Sequence, residues 1–384
     1  MSNPWHMLSD EEQAFASMLE RYATEELAPR AAETDETATF VRPQLRGLAK
    51  LGLLGANLPE EDGGPGISAP ALLRAVQIVA GACGSTVSAL TAHYLATDSI
   101  LLGGSADQRA KWLPRAATGE VLGAFGLTEP TAGSDPADMK TRARRDGDGW
   151  RLTGSKCFIS NGGEADFVVV YAVTDPEAGH RGISAFIVPT DTPGFAAGKP
   201  ERTMGLKGGH VFTLSLDCHL PAEALLGTEG QGFKTAMKVL DNGRIEVAAM
   251  CLGIAEAALR AAVTYAKDRV IGGEPLANRQ GIRWQLADMA LDFQSALLLA
   301  QDAARQREAA HHGGPRFSLA ASQAKLACSE MAHRVTDGAL QIHGGYGFTR
   351  DLPLERYARD VRIMRIYEGS SEIQRNIIAA HLLA

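Results

Sequence analysis

Three textures of apolar and polar positions follow one another along the chain. Up to about residue 118 the apolar positions recur at helical spacing. The segment LSDEEQAFASMLERYA offers a capping box, with Ser9 as N-cap and Glu12 three residues on, and then sets Phe15, Met18, Leu19 and Tyr22 on one helical face. PEEDGGPGIS is a turn-rich loop. APALLRAVQIVAGA and STVSALTAHYLATDSILL read as buried helices, the second apolar over much of its circumference.

Between about residues 120 and 220 the period shortens. GWRLTGSKCFIS alternates and runs into an Asn161-Gly162 turn signal. DFVVVYAV, GISAFIVP and HVFTLSLDC are rich in β-branched and aromatic residues, with Gly, Pro and Asp breaks between them. From about Gly232 long amphipathic helices return, in RIEVAAMCLGIAEAALRAAVTYAKDR, RWQLADMALDFQSALLLAQDAARQREAA and LAASQAKLACSEMAHRVTDGALQIHG. The last two, ~28 and ~26 residues, would each be roughly 40 Å long. The pattern predicts an α+β multidomain protein: an N-terminal helical domain over 1–119, a central antiparallel β-domain over 120–229 and a C-terminal helical bundle over 230–384.

Composition narrows the function classes. The 384 residues suffice for several layers and a sizeable core, and 45% hydrophobic with 22% charged is ordinary for a globular chain. A net charge of -7 argues against nucleic acid as the main partner, because phosphate binding needs a basic surface. No apolar run in the sequence reaches the ~18 residues of a membrane span. The opening MSNPWHMLSDEEQ lacks a basic n-region and an apolar core, so no secretory signal is expected. Cys83, Cys157, Cys218, Cys251 and Cys328 are scattered without a CxxC pair, which predicts no metal site and a cytoplasmic setting.

Four stretches could carry chemistry. AFGLTEPTAGSD (124–135) offers the hydroxyls of Thr128 and Ser134, with Gly126 and Gly133 allowing close backbone approach; a plain strand-to-loop connection is an equal reading. No GxGxxG follows a strand there, so a Rossmann site has no support. In GSKCFISNGGEAD, Phe158 and Ser160 alternate, which would point a ring and a hydroxyl the same way toward a flat ligand, or simply toward a core face. Arg269 precedes a Gly-rich turn, and QIHGGYGF could offer backbone amides to a phosphate or an adenine. His343 and His210 lack metal-ligand spacing. In RIYEGSSEIQRN a lone Glu368 stands between Tyr367 and Gly369, where it could complement a helix dipole or act as a catalytic carboxylate.

In this order GLTEPTAGSD, QIHGGYGF and YEGSSEIQRN resemble the FAD-dependent acyl-CoA dehydrogenases, and the resemblance covers essentially the whole chain. It implies an N-terminal helical domain, a central β-domain and a C-terminal four-helix bundle, assembled as a homotetramer. It implies α,β-dehydrogenation of an acyl thioester, acyl-CoA to trans-2-enoyl-CoA, with electrons passed to an electron-transferring flavoprotein. By similarity Phe125, Leu127 and Thr128 lie along the flavin, Ser134 meets flavin phosphate or the pantetheine arm, Phe158 packs on the isoalloxazine and Ser160 bonds near its central ring. Arg269, Gln280, Gln341, Gly344 and Gly345 match FAD-binding positions, partly of a neighbouring subunit, and Ser370 and Glu372 also touch the cofactor. Asp241 and Arg244 match a D-x-x-R pair on the acyl-CoA, and Tyr367 and Gly369 line the substrate. Thr91, Ala92 and Leu95 are candidates for the pocket floor.

Glu368 is then the general base. The resemblance implies that it removes the α-proton while a hydride leaves the β-carbon. That requires a thioester carbonyl polarised by the Glu368 N–H and a carboxyl whose pKa is raised in a dry slot. Some relatives carry the base just before Arg244, where this chain has Gly243; Glu246, two residues past Arg244, should face another side of the helix. Two departures stand out. Gly272 replaces an aromatic after Arg269, and LKGGHVF, with Gly209 and His210, replaces an Arg-x-Ser turn. The second keeps an acyl carrier protein open as the thioester carrier. A flavin monooxygenase or oxidase on the same scaffold, and a flavin-free acyl-binding scaffold, are the other readings.

Overall fold

The structure, a computed structural model, describes residues 4–384. Its first part holds α1 (Asp10–Tyr22), α2 (Ala31–Thr37), α3 (Arg42–Lys50), α4 (Ala69–Ala82), α5 (Gly84–Gly103) and α6 (Ala106–Ala117). The capping box forms as expected: Glu12 N–H donates to Ser9 Oγ at 3.2 Å, and Ser9 N–H donates to Glu12 Oε2 at 3.0 Å. The other Glu12 oxygen accepts from Ser68 N–H at 3.0 Å, so one carboxylate fixes the start of α1 and holds the residue that caps α4. Along α5 every residue from Gly84 to Ile100 is buried, which is why its sequence shows no helical polar face.

The middle part is one seven-stranded sheet: β1 (Gly123–Gly126), β2 (Arg142–Asp146), β3 (Gly149–Ser160), β4 (Phe167–Val173), β5 (Ile183–Pro189), β6 (Phe195–Ala197) and β7 (Val211–Leu220). The order is β1-β4-β2-β3-β7-β6, with β5 also on β4. The β2–β3, β3–β7, β4–β5 and β6–β7 pairs are antiparallel as the sequence suggested. β1 is parallel to β4, because the chain enters the sheet from α6 and returns beside β1 only after the β2–β3 hairpin. In β4, Phe167, Val169 and Tyr171 face a core shared with α5, α6 and α7, while Val168, Val170 and Ala172 face the core on the other side of the sheet. Both faces are covered, so the strand reads as an unbroken apolar run.

The last part contains α7 (Gly232–Asp268), the hairpin β8 (Val270–Ile271) and β9 (Glu274–Pro275), α8 (Gln280–His311), α9 (Ser318–His343), α10 (Gly345–Phe348), α11 (Leu354–Asp360) and α12 (Ser371–Leu383). Helix α7 corrects one expectation: it is long and apolar enough, by length and composition, to cross a bilayer. Its middle instead lies in the bundle core and carries the buried Asp241, Arg244 and Glu246. The departure at Gly272 also finds its cause here. Gly272 and Gly273 form the two-residue turn between β8 and β9 at φ 64° and 83°, a conformation that glycine adopts freely and an aromatic residue does not.

Phe167 is fully buried, its ring 4.9 Å from that of Trp112. Phe167→Ala should destabilise the protein by about 3–5 kcal/mol, read as a lowered midpoint in denaturant titration.

Candidate active site

Glu368 sits in the turn that leads from a 3-10 segment (Val361–Arg365) into α12. Its φ is 51° and that of Gly369 is 90°, so two successive residues lie in the left-handed region. Ser370 then caps α12, accepting from Ile373 N–H at 3.4 Å. The helix-dipole role therefore falls to the exposed Glu372 in the first turn, whose carboxyl is held below its ordinary pKa by hydrogen bonding to backbone and to Ser370. Glu368 precedes the helix and turns inward. The residue is half-buried, yet its Oε2 is sealed from solvent and accepts no hydrogen bond. Burial raises its pKa to about 7, against the opposing pull of the Lys325 and Arg244 charges. Among the described residues no acceptor takes the Glu368 N–H.

Helix α7 makes room for this carboxyl. A Cβ on Gly243 would collide with Glu368 Oε2 and come within 2.8 Å of Leu95 Cδ2. No side chain fits at residue 243 while Glu368 occupies the slot. One residue on, Arg244 pairs with Asp241 at 2.6 Å, both buried. Asp241 also meets Arg316 at 3.5 Å and the Ser318 hydroxyl in a short contact, so it anchors Arg244 and the start of α9 together. Two turns further along α7, Met250 Sδ receives Thr91 Oγ1 and the Tyr367 hydroxyl, each at 3.6 Å, and Tyr367 also reaches Met364 Sδ at 3.0 Å. Thr91 and Leu95 thus face this slot, and Ala92 is buried on the same helix.

The other face of α5 holds the sheet. His93 Nδ1 accepts from Gly123 N–H at 2.9 Å, and Asn161 Nδ2 donates to Ala89 O at 2.8 Å. Burial pushes the His93 pKa down to about 4, so the ring is a neutral acceptor. Beyond β1, Lys156 Nζ donates to Leu127 O at 3.0 Å and to Glu129 Oε1 at 2.8 Å, and Cys157 N–H donates to Thr128 O at 3.0 Å. This fully buried pair brings the 125–129 segment beside the end of β3. Phe125 and Thr128 are half-buried there, Leu127 is buried and Ser134 is exposed.

Phe158 and Ser160 do share the open side, but through a bulge. The β3–β7 register shifts between Lys156 and Ile159, and Phe158 takes φ 57°, leaving the residue 69% exposed. Simple alternation does not describe them. Arg269, Gln280, Gln341, Gly344 and Gly345 are exposed at the far end of the bundle, where Arg269 lies 5.8 Å over the Tyr346 ring. The 26 residues of α7 from Gly243 to Asp268, just before Arg269, span roughly 39 Å, so one chain does not bring this cluster to Glu368. The 206–210 loop is stapled in several places: Leu206 N–H donates to Asp360 at 2.6 Å, Gly208 N–H to Ser85 Oγ at 3.1 Å, and the His210 ring contacts Glu164 at 3.0 Å and Ala38 O at 2.8 Å.

Several functional candidates escaped sequence reasoning. Lys325, fully buried on α9, donates to Gly369 O at 2.7 Å, and Gln374 donates to the carbonyls of Glu368 and Gly369 at 3.1 and 2.9 Å. The signal for Lys325 was a charged residue among the apolar positions Ala321, Cys328 and Ala332 of one helical face. Glu246 lies on a different side of α7 from Arg244, as expected, but is buried 3.5 Å from Arg307, which also stands 4.0 Å from Asp98. Burial, then the Asp98 charge, raises the Glu246 pKa well above the usual range.

Comparison with known proteins agrees with this arrangement. The family models for the acyl-CoA dehydrogenase N-terminal, middle and C-terminal domains match residues 9–120, 124–218 and 230–383. The mitochondrial short-chain specific acyl-CoA dehydrogenase of Bos taurus is 43% identical over 366 residues, 94% of this chain and 87% of its own length. The butyryl-CoA dehydrogenase of Megasphaera elsdenii superposes with a TM-score of 0.95 at 40% identity, covering 98% of this chain and 99% of that one. A chain from the structure described for the electron transferring flavoprotein of Acidaminococcus fermentans does so with a TM-score of 0.95 at 41% identity, covering 98% of each. With all three domains matched in order and a sealed carboxylate facing a glycine on the longest helix, the chain belongs to the acyl-CoA dehydrogenase family.

Proposed function

We propose that the protein is an FAD-dependent dehydrogenase of short-chain acyl-CoA thioesters, with Glu368 as the base that takes the α-proton. The observation that carries this reading is the Glu368 Oε2, buried, without a hydrogen-bond partner and fitted against Gly243. A carboxyl with a pKa of about 7 is a base matched to neutral pH. The Glu368 N–H, left without an internal acceptor, is a donor for the thioester oxygen, which acidifies the α-proton. Met250, held by Thr91 and Tyr367, closes the slot two turns from Gly243 and supports a short acyl chain. Arg244, fixed by Asp241, keeps a positive charge beside the slot.

The residues fit FAD. The exposed Phe158 ring, with Thr128 and Ser160 beside it, is a wall for a flat heteroaromatic ring, and Ser134 lies exposed further along the same loop. Gly344 and Gly345 have open space where a side chain would be, next to Arg269, as a dinucleotide backbone requires. Bound FAD supplies the acceptor for the hydride from the β-carbon. Arg269, Gln280, Gln341, Gly344 and Gly345 would serve the cofactor of a neighbouring subunit. Trp284, Leu291 and Leu298 recur every seven residues on α8 and are 63%, 68% and 56% exposed. This stripe supports assembly through copies of the chain, here a homotetramer. An electron-transferring flavoprotein is the proposed acceptor, and five free, buried cysteines fit a cytoplasmic enzyme.

Purified holoenzyme should be yellow and should bleach when butanoyl-CoA is added without oxygen, faster than with long-chain thioesters. Glu368→Gln should keep FAD and lower the bleaching rate about 10²–10⁴-fold in stopped flow; near wild-type bleaching would place the base elsewhere. Because ionised Glu368 is the active form, the wild-type rate should rise with pH through about 7. Gly243→Ala should displace the carboxyl and cut the rate by roughly tenfold or more, with the FAD spectrum retained. Leu291→Glu should shift sedimentation toward smaller species and release FAD; an unchanged assembly would remove α8 from the interface.

A further inference from the structure

We infer that Lys325 is a positioning residue for the base, holding the Glu368–Gly369 turn by its carbonyl and lending the charge that keeps Glu368 ionisable. The inference rests on Glu368 being the base.

Two consecutive positive φ values leave the peptide planes around Glu368 with little intrinsic preference for the observed shape, and Glu368 itself is a side chain that visits this region rarely. Three hydrogen bonds from two donors fix it. Lys325 Nζ and Gln374 Nε2 both donate to Gly369 O, at 2.7 and 2.9 Å, and Gln374 also donates to Glu368 O at 3.1 Å. Lys325 and Gln374 are both fully buried. The Gly369 carbonyl, with both lone pairs engaged, can no longer swing. Its orientation fixes the Gly369–Ser370 plane, while Gln374 holds the plane that follows Glu368 through Glu368 O; the two planes together set the turn from which the carboxyl leaves the backbone.

One of these donors carries a charge that the hydrogen bond itself does not require. Gln374 shows that a neutral amide reaches the same carbonyl. Burying an ammonium is costly unless its charge is compensated, and among the described residues no carboxylate lies within 4.0 Å of Lys325 Nζ. The groups whose charges it faces are Glu368 on the turn, Cys251 and Arg244 on α7, and Glu330 on α9 itself. Of these, Glu330 is already engaged by Arg365 at 3.0 Å and by the Ser371 hydroxyl at 2.7 Å, and the Cys251 thiol is raised to about 12 by burial. Glu368 is the remaining anion. Glu368 in turn faces two cations, Lys325 and Arg244, and Arg244 is already paired with Asp241. Lys325, whose own pKa burial lowers to about 8, therefore supplies the unneutralised positive field at the base over the range in which Glu368 titrates. Burial alone would drive Glu368 toward the protonated form, in which it cannot accept a proton; the ammonium opposes that without touching the carboxylate and so leaves Oε2 free for substrate.

The charge and the hydrogen bond separate in two substitutions. Lys325→Gln keeps a donor for Gly369 O and removes the charge; Lys325→Met removes both. In FAD-loaded protein, the midpoint of the pH dependence of anaerobic flavin reduction by butanoyl-CoA should move up by about one unit in both variants. The high-pH plateau should stay within about threefold of wild type in Lys325→Gln and fall tenfold or more in Lys325→Met. A second readout needs no turnover: infrared titration of the Glu368 carboxyl, with Glu368→Gln as the blank, should show the same upward shift. If Lys325→Met does not fold, Lys325→Gln still decides the electrostatic role, and Lys325→Leu takes the place of Lys325→Met for the positioning role. An unmoved midpoint in the infrared titration of Lys325→Gln overturns the electrostatic role, and an unchanged plateau in a folded Lys325→Met overturns the positioning role. Failure of the parent reading looks different, since Glu368→Gln would then bleach normally whatever residue 325 is.

Discussion

The Glu368 carboxyl and the side chain that Gly243 lacks are two halves of one contact, and the surrounding structure is arranged to preserve it. An acid that is to take a proton from carbon must be dry enough to be basic and open enough to meet a substrate. The first condition removes hydrogen-bond partners and the second removes volume, which leaves nothing at the site to hold the acid in place. The holding is done from behind, through main-chain carbonyls gripped by Lys325 and Gln374. The oxygen that matters remains unpartnered.

Buried charge elsewhere in the protein serves a different purpose. The Glu129–Lys156 pair is closed: the carboxylate also accepts from the N–H groups of Lys140 and Thr141, at 2.6 and 3.0 Å, and the ammonium also donates to Leu127 O. Such a satisfied network rigidifies the segment that ends in Thr128. The Asp98–Arg307–Glu246 group is less complete. Asn57 and Asn242 satisfy Asp98 at 2.6 and 2.7 Å, whereas neither Glu246 oxygen accepts a hydrogen bond, in keeping with a carboxyl pushed toward its neutral form. The closed pair gives fixed geometry. The open carboxyls mark where protonation can change.

Much of this was legible in the chain. The capping box at Ser9, the strand run of β4 and the three long helices follow from periodicity, because each is a local pattern with a local cause. Glu368 was legible as a candidate through its motif, and the glycine opposite it through the D-x-x-R stretch. The sequence could not show that Phe158 owes its exposure to a bulge, since one extra residue in a ladder leaves no periodic trace. Nor could it show that Gly272 answers to a turn, or that Lys325 reaches across from another helix to a carbonyl 44 residues away. Long-range main-chain contacts of this kind depend on how elements pack. Hydrophobic patterning specifies which faces meet and leaves open which carbonyl a lysine finds.

Helix α5 has no outside. Leu95 presses toward Gly243 on one flank while His93, two residues earlier, grips the first residue of β1 on the other. The partition between the slot beside Glu368 and the sheet is thus one helix thick, and a change of volume on either side is felt on both. Enlarging or filling this wall must therefore be accompanied by adjustment of the sheet it supports. Volume can change more independently at the Met250 end, where Thr91 and Tyr367 meet a flexible thioether, than at Leu95, where the same helix carries the opposite room.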